Sequence, residues 1–203
     1  MIKFMLKILF IILSISHTNL AFASDSNTNS PNQIAINVIE GALLSLKTLK
    51  DKNSASTYNI EALVLNKLMP NVNMDYATKL MLGKHWGKLN DKQKIHFKDY
   101  VTRSIVNDYV GLLKSYKNID DLNISVEPGS ETRDNEASVK LHISFNKKNE
   151  QYFITLKMVK INQWLIYDAV FPGLSMLEYY KKNFNSIIKR KGLDGLIATI
   201  SNN

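Results

Sequence analysis

Catalysis needs a nucleophile, a titrating base or a set of metal ligands, and this sequence offers few of them. His85 and His96 stand eleven residues apart, a spacing that would align them on one continuous helix. Gly87 and a helix-starting Asn90 lie between them, so they do not form a ligand pair. His142 falls on the polar face of a strand. No HExxH pattern or other paired-ligand spacing occurs, and no metal site is expected. Gly173-Leu174-Ser175-Met176-Leu177 begins like a nucleophile elbow but lacks the second glycine. It also follows the last strand of an antiparallel meander, and Ser175 reads better as a helix cap. Asp75, Asp108 and Asp168 are single carboxylates with no evident partner. Asp168 beside Tyr167 is the best acid–base candidate and keeps a small enzyme open as an alternative. No catalytic residue is assigned, and no cofactor is expected.

The elements that would carry these residues follow from period and caps. Ser30-Pro31-Asn32-Gln33 starts a helix, with Ser30 as N-cap, Pro31 first and Gln33 closing a capping box. Ala35, Val38, Ile39, Ala42, Leu46 and Leu49 give it one apolar face. A second helix runs from about Tyr58, with Leu63, Val64 and Leu68, to the residue before Pro70. Asn73 caps a third, which stops at Gly83. Asn90 to Gln93 forms another box and opens the longest helix. Phe97, Val101, Ile105, Tyr109, Leu112 and Tyr116 follow in a single stripe, with Lys98, Asp99, Arg103 and Lys114 opposite.

After Asp121 the period becomes two. Val139, Leu141, Ile143 and Phe145 alternate with Ser138, Lys140, His142 and Ser144. Beyond a turn at Asn146 to Glu150, Tyr152, Ile154, Leu156 and Met158 alternate again. Trp164 to Val170 and Leu122 to Glu127 complete a meander of roughly four antiparallel strands. Ser175 then caps a helix with Glu178 three residues on and Lys189, Arg190 and Lys191 in its last turn. Gly192 ends it, before a short final helix with Leu193, Leu196, Ile197 and Ile200. The fold class is α+β, helices packed on the sheet as one unit. From spacing alone, the apolar faces of sheet and helices fill one another as a core. A ligand cavity between them is the alternative.

The first residues have the three parts of a secretory signal. Lys3 and Lys7 precede an apolar run from Ile8 to Ile15, and Ala21-Phe22-Ala23 offers a small-x-small cleavage site. The run is shorter than the roughly 20 residues a spanning helix needs. The expected division is a signal peptide over 1–23, a flexible N-terminus over 24–29 and a single domain over 30–203, with the mature chain acting outside the cytoplasm. Removing Lys3 and Lys7 from the net charge of +8 leaves about +6. A basic surface suits nucleic acid, anionic headgroups or an acidic partner, but export argues against nucleic acid and the lysines are scattered. There is no cysteine, which excludes disulfides and thiol chemistry.

Two stretches carry a resemblance. The first runs from Pro70-Asn71-Val72-Asn73-Met74-Asp75-Tyr76 through Met81-Leu82-Gly83-Lys84-His85-Trp86 to Gln93, Phe97 and Tyr109. The second is Trp164-Leu165-Ile166-Tyr167-Asp168, then Gly173-Leu174-Ser175, Tyr180, Phe184 and Gly192-Leu193. Together they resemble the MlaC or toluene-tolerance family of periplasmic phospholipid-binding proteins. The sequence departs from the family's pattern at Gly87 and at Phe171-Pro172. The resemblance implies a soluble periplasmic shuttle that exchanges phospholipid with two partners. These are an outer-membrane lipoprotein complex and an inner-membrane ABC transporter complex with its lipid-binding subunit. It also implies an apolar cavity for the acyl tails, lined by Phe97, Val101, Ile105, Tyr109, Val139, Leu141, Ile143, Ile154, Leu156 and Met158. Trp164, Met176 and Tyr180 would lie near its mouth or walls. An exported interaction or chaperone-like module without ligand is the competing reading.

Overall fold

The computed structural model describes residues 29–115, 122–145 and 150–201. The expected signal peptide, Tyr116, the side chain of Leu112 and most of the turn from Asn146 to Glu150 lie outside the described residues. Helix α1 (Pro31–Asp51) starts as its cap predicts, with Ser30 Oγ accepting the Gln33 N–H at 3.2 Å. The second half of that box does not form, because Gln33 Nε2 donates forward to Asn37 Oδ1 at 2.8 Å.

The single helix expected from Tyr58 to Pro70 is three pieces. Helix α2 (Thr57–Leu63) is capped by Ser56 and passes into a π turn (Val64–Leu68) and a 3-10 turn (Met69–Asn71). Pro70 has no N–H to give to the helical ladder, so the chain unwinds ahead of it. Helix α3 (Met74–Leu82) is capped by Asn73, whose Oδ1 accepts the Tyr76 N–H at 2.9 Å. A 3-10 turn (Gly83–Lys88) leads to the longest uninterrupted helix, α4 (Asp91–Ser115). Its box is reciprocal: Gln93 N–H to Asn90 Oδ1 and Asn90 N–H to Gln93 Oε1, both at 2.9 Å.

The sheet is antiparallel and holds β1 (Leu122–Val126), β2 (Glu131–Arg133), β3 (Glu136–Phe145), β4 (Glu150–Lys160), β5 (Trp164–Phe171) and β6 (Leu174–Ser175). The order is β1-β3-β4-β5-β6, with β2 also on β3. The four expected strands are the long ones. The two additions, β2 and β6, have three and two residues, too few to show a period, and β2 is wholly exposed. Val139 faces Leu156, Leu141 faces Ile154 and Ile143 faces Tyr152 across β3 and β4. On β5 the register slips: Lys157 pairs with Asp168 but Met158 with Ile166, so Tyr167 is the extra residue. Trp164 and Ile166 therefore share the apolar face, whereas Asp168 turns to the other.

The sheet's apolar face is covered by α1, through Ala35 and Val38, and not by the long helix. The small side chains of Ala35 and Val38 let that helix lie close to the strands. The first half of α4 packs instead on α3 and the last helix, α5 (Met176–Ser201), in a second core holding Phe97, Val101, Leu177, Tyr180 and Phe184. A third core joins α1, α2 and the later half of α4 through Ala42, Leu46, Ile60, Leu63, Val106 and Val110. Helix α5 is broken at Gly192 (φ 73, ψ 176), which separates the expected final helix from the rest.

Gly83 closes α3 at φ 53, ψ −124, a conformation open to glycine alone, and a Cβ there would meet no atom within 4 Å. The cost of a side chain is therefore conformational. Gly83→Ala is expected to lower stability by about 1–3 kcal/mol, read as a shifted urea midpoint at unchanged slope. A midpoint equal to the wild type's would show that the turn is not held at positive φ.

Candidate functional site

The three cores meet through very few residues. Leu43 and Leu68 touch both the sheet core and the α1–α2–α4 core, Met69 touches the latter and the α3–α4–α5 core, and Val72 touches the sheet and α3–α4–α5 cores. All four are only partly buried, although they stand where the layers converge. Ile39, Ile154 and Ala169 of the sheet core and Tyr109 and Leu113 of the third core are likewise partly buried. Protein interiors are normally packed to crystal density, so apolar side chains with accessible surface at a junction of cores mark the place where packing is least complete. The π and 3-10 turns between Val64 and Asn71 supply Leu68 and Met69, and the next residue supplies Val72. In the sequence Leu68 shows only as part of a helix face and Val72 only within a resembling stretch, neither as a site. Pro70, which breaks the helical pattern beside them, was the available signal.

The structure divides the thirteen residues expected to line a cavity. Val139, Leu141, Ile143, Ile154, Leu156, Met158 and Trp164 share the sheet's apolar face. Phe97, Val101, Ile105, Met176 and Tyr180 belong to the α3–α4–α5 core. Tyr109 stands in the third. Val101, Val139, Leu141 and Met158 have no exposed surface at all, so their present contacts are with protein. Ile105, Tyr109, Ile154 and Met176 keep accessible surface.

Tyr109 combines two properties that are rarely found together. Its side chain is partly accessible, yet burial of its hydroxyl, with a lesser effect from the Asp168 charge, pushes the phenol up to about 12.

Asp168 is buried, and its oxygens are engaged. Oδ2 accepts the Ser175 hydroxyl at 2.8 Å and lies 3.4 Å from Lys157 Nζ, and Oδ1 accepts the Leu177 N–H at 3.0 Å. Ser175 Oγ in turn accepts the Glu178 N–H at 3.0 Å. These bonds satisfy donors at the start of α5, which a helix cannot satisfy internally, and give the acid–base candidate a structural role. Glu178 does not complete the expected box, since its Oε1 pairs with Lys181 at 2.9 Å. Gly173, at φ 77, makes the turn that brings Ser175 back beside Asp168.

The histidines stand apart. His85 lies in the 3-10 turn, its imidazole held below the usual range by burial and by Lys84 and Lys88. His96 buries Nε2 on α4, and His142 sits between Glu127 at 3.4 Å and Gln151 at 3.1 Å. Among the described residues, no group of three or more His, Asp or Glu is placed to hold a metal ion.

With this geometry in place, three comparisons bear on the chain. The family model described as MlaC protein matches residues 37–202. A curated relative from Haemophilus influenzae, the intermembrane phospholipid transport system binding protein MlaC, is 30% identical over 144 residues. That match covers 68% of this chain and 65% of the relative, so the chain spans just under two thirds of its length. A solved structure from Ralstonia solanacearum, a phospholipid-binding protein in complex with a phospholipid, has the same fold, with a TM-score of 0.73 at 21% identity. It covers 84% of this chain and 94% of that one.

The raised Tyr109 phenol makes a prediction about alkaline stability. A phenol that binds its proton more tightly when folded contributes stability that is complete below its ordinary value of 10.0 and is lost as pH rises through about 12. Between about pH 9 and about pH 11, wild type should therefore lose more unfolding free energy than Tyr109→Phe, measured by urea titration at each pH. Equal losses would mean that the Tyr109 hydroxyl is hydrated.

Proposed function

We propose, from the premise that the chain belongs to the MlaC protein family, that its exported part carries phospholipid, with the acyl tails held at the junction of the three cores. The observation that carries this reading is the set of partly buried apolar side chains at that junction: Leu43, Leu68, Met69 and Val72. The relative from Haemophilus influenzae is named for intermembrane phospholipid transport, and the neighbour from Ralstonia solanacearum was solved with phospholipid bound. Both support the choice of ligand. In this reading the signal over residues 1–23 is removed after about Ala23, and the mature chain works in the periplasm. There it exchanges lipid with an inner-membrane ABC transporter complex and an outer-membrane lipoprotein complex, and so supports the lipid asymmetry of the outer membrane.

The energetics suit a carrier. Each methylene taken out of water contributes about 0.8 kcal/mol, so two long tails are retained by a gross term on the order of 20 kcal/mol. A bilayer supplies nearly the same term, which leaves the exchange between protein and membrane close to balanced. Direction then comes from the partners. No nucleotide chemistry is required of the carrier itself.

Mass spectrometry of organic extracts from purified mature protein tests the reading directly. Co-purifying phospholipid, and uptake from liposomes by stripped protein, are the expected results. Protein that neither retains nor takes up phospholipid would leave the chain an interaction module with a filled core.

A substitution separates a ligand space from a filled core. Leu68→Trp adds bulk at the junction. If tails occupy that space, the variant should fold with nearly wild-type stability while loading of lipid falls several-fold. If the space is already filled by protein, overpacking should cost about 1–3 kcal/mol in urea denaturation with no selective effect on lipid.

A further inference from the structure

Helices α4 and α5 leave a groove of about 500 Å³ between them, on the side of the helical layer where Asp108 and Arg190 are exposed. Its floor is aromatic. Tyr180 and Phe184 are buried with ring centroids 5.8 Å apart, and Tyr179 stands edge-on to Tyr180 at 5.5 Å. Tyr100 lines it from α4, as does Asp108, while Arg190 enters from α5.

The two charged groups do not serve each other. Asp108 has no hydrogen-bond or ion-pair partner among the described residues, and burial alone raises its carboxyl above the ordinary range with no cation to offset it. Arg190 uses its Nε on the Ser186 carbonyl at 3.2 Å, which leaves its terminal nitrogens without a partner among the described residues. The Tyr180 phenol is raised by burial first, then by Asp108, Tyr179, Tyr100 and Tyr109, so these groups converge on one place. Tyr109 in turn packs against the third core.

Each part has a chemical preference. A carboxylate beside tyrosine rings favours an ammonium, through charge and through the negative faces of the rings. A guanidinium fork favours a phosphate. A partly desolvated carboxylate with no cation gains most from a ligand that brings one. We infer that the α4–α5 groove binds a zwitterion of the phosphoethanolamine type, its ammonium at Asp108 among Tyr100, Tyr179 and Tyr180 and its phosphate at Arg190. Insofar as the source is the headgroup of the carried lipid, this rests on the carrier reading above; the other source is a soluble glycerophosphodiester.

The test uses the mature chain, with Asp108→Asn and Arg190→Gln as variants whose side chains lie outside the tail junction. Stripped protein is loaded from vesicles of equal phosphatidylethanolamine and phosphatidylglycerol, and the bound lipids are quantified by mass spectrometry. Wild type should enrich phosphatidylethanolamine about threefold to tenfold, and Asp108→Asn should fall to near parity with total lipid unchanged. In a parallel arm, glycerophosphoethanolamine is titrated onto stripped protein and the tyrosine resonances are followed by NMR. Enrichment lost in Asp108→Asn assigns the groove to the headgroup. Soluble binding lost in that variant, without enrichment during loading, assigns it to a free solute. Soluble binding by a wild type that loads no lipid of either kind would sink the carrier reading and leave the groove standing. Absence of both enrichment and soluble binding, or equal behaviour of wild type and Asp108→Asn, would overturn the inference.

Discussion

The structure depends on how its last helix is tied to its sheet. Asp168 stands at the strand register slip, buried and shut off from water. It accepts the Ser175 hydroxyl and the Leu177 N–H. A buried carboxylate without partners costs several kcal/mol, so these bonds are a condition for placing it there. They also fix the direction in which α5 leaves the sheet. Because α3 and the first half of α4 pack on α5, their position relative to the strands follows from this one contact. A second tie comes from the chain ahead of α3, where Val72 bridges to Ile166 and the Asn73 N–H donates to the Ile166 carbonyl at 2.7 Å. Both ties meet β5 on either side of its register slip, which makes that strand the mechanical reference for the helical layer.

This arrangement explains how the domain tolerates an interior that is not filled by one continuous core. Each of the three cores is complete enough to be dry at its centre, as Val101, Val139 and Leu46 show. They are joined by polar anchoring and by four partly buried residues, not by a shared apolar layer. A protein of this size gains most of its stability from burial, so incomplete packing at the junction costs stability unless something apolar occupies it. Bound tails would recover that term. On the proposed reading ligand binding and domain stability would thereby be coupled, since whatever binds only the folded form stabilises it in proportion to its affinity.

Much of this was legible in the sequence, because local rules leave local marks. The reciprocal box of Asn90 and Gln93, the caps at Ser30, Asn73 and Ser175, the change of period after Asp121 and the breaks at Gly83 and Gly192 all depend on residues within one turn of each other. What was not legible depends on partners. The stripe of Phe97, Val101, Ile105 and Tyr109 says that α4 has a buried face. It does not say that this face meets α3 and α5 while α1 covers the sheet. The slip at Tyr167 inverts which face Asp168 occupies, and no residue type announces it. Asp168 beside Tyr167 reads in sequence as the best acid–base candidate, and only the Ser175 and Leu177 bonds give it an anchoring role. The junction was not legible as a site because Leu68, Met69 and Val72 flank a proline, where periodicity is lost.

The same contrast bears on how a carrier is built. Side chains that hold the fold must be buried and satisfied in every state, and those that hold a mobile ligand must remain accessible when it leaves. On the proposed reading the two sets differ in exposure. The expected residues Val101, Val139, Leu141 and Met158 have no exposed surface, while Ile105, Tyr109, Ile154 and Met176 keep accessible surface. A ligand held against the accessible set would depart without disrupting the bonds of Asp168 or the strand pairing of Leu141 with Ile154. Its departure exposes apolar surface in proportion to tail length, and the cost is offset when a membrane or another carrier receives the tails at the same step. Rigid anchoring at β5 together with loose packing at the junction is therefore the combination that the proposed carrier role would require, to retain a hydrocarbon ligand and also release it.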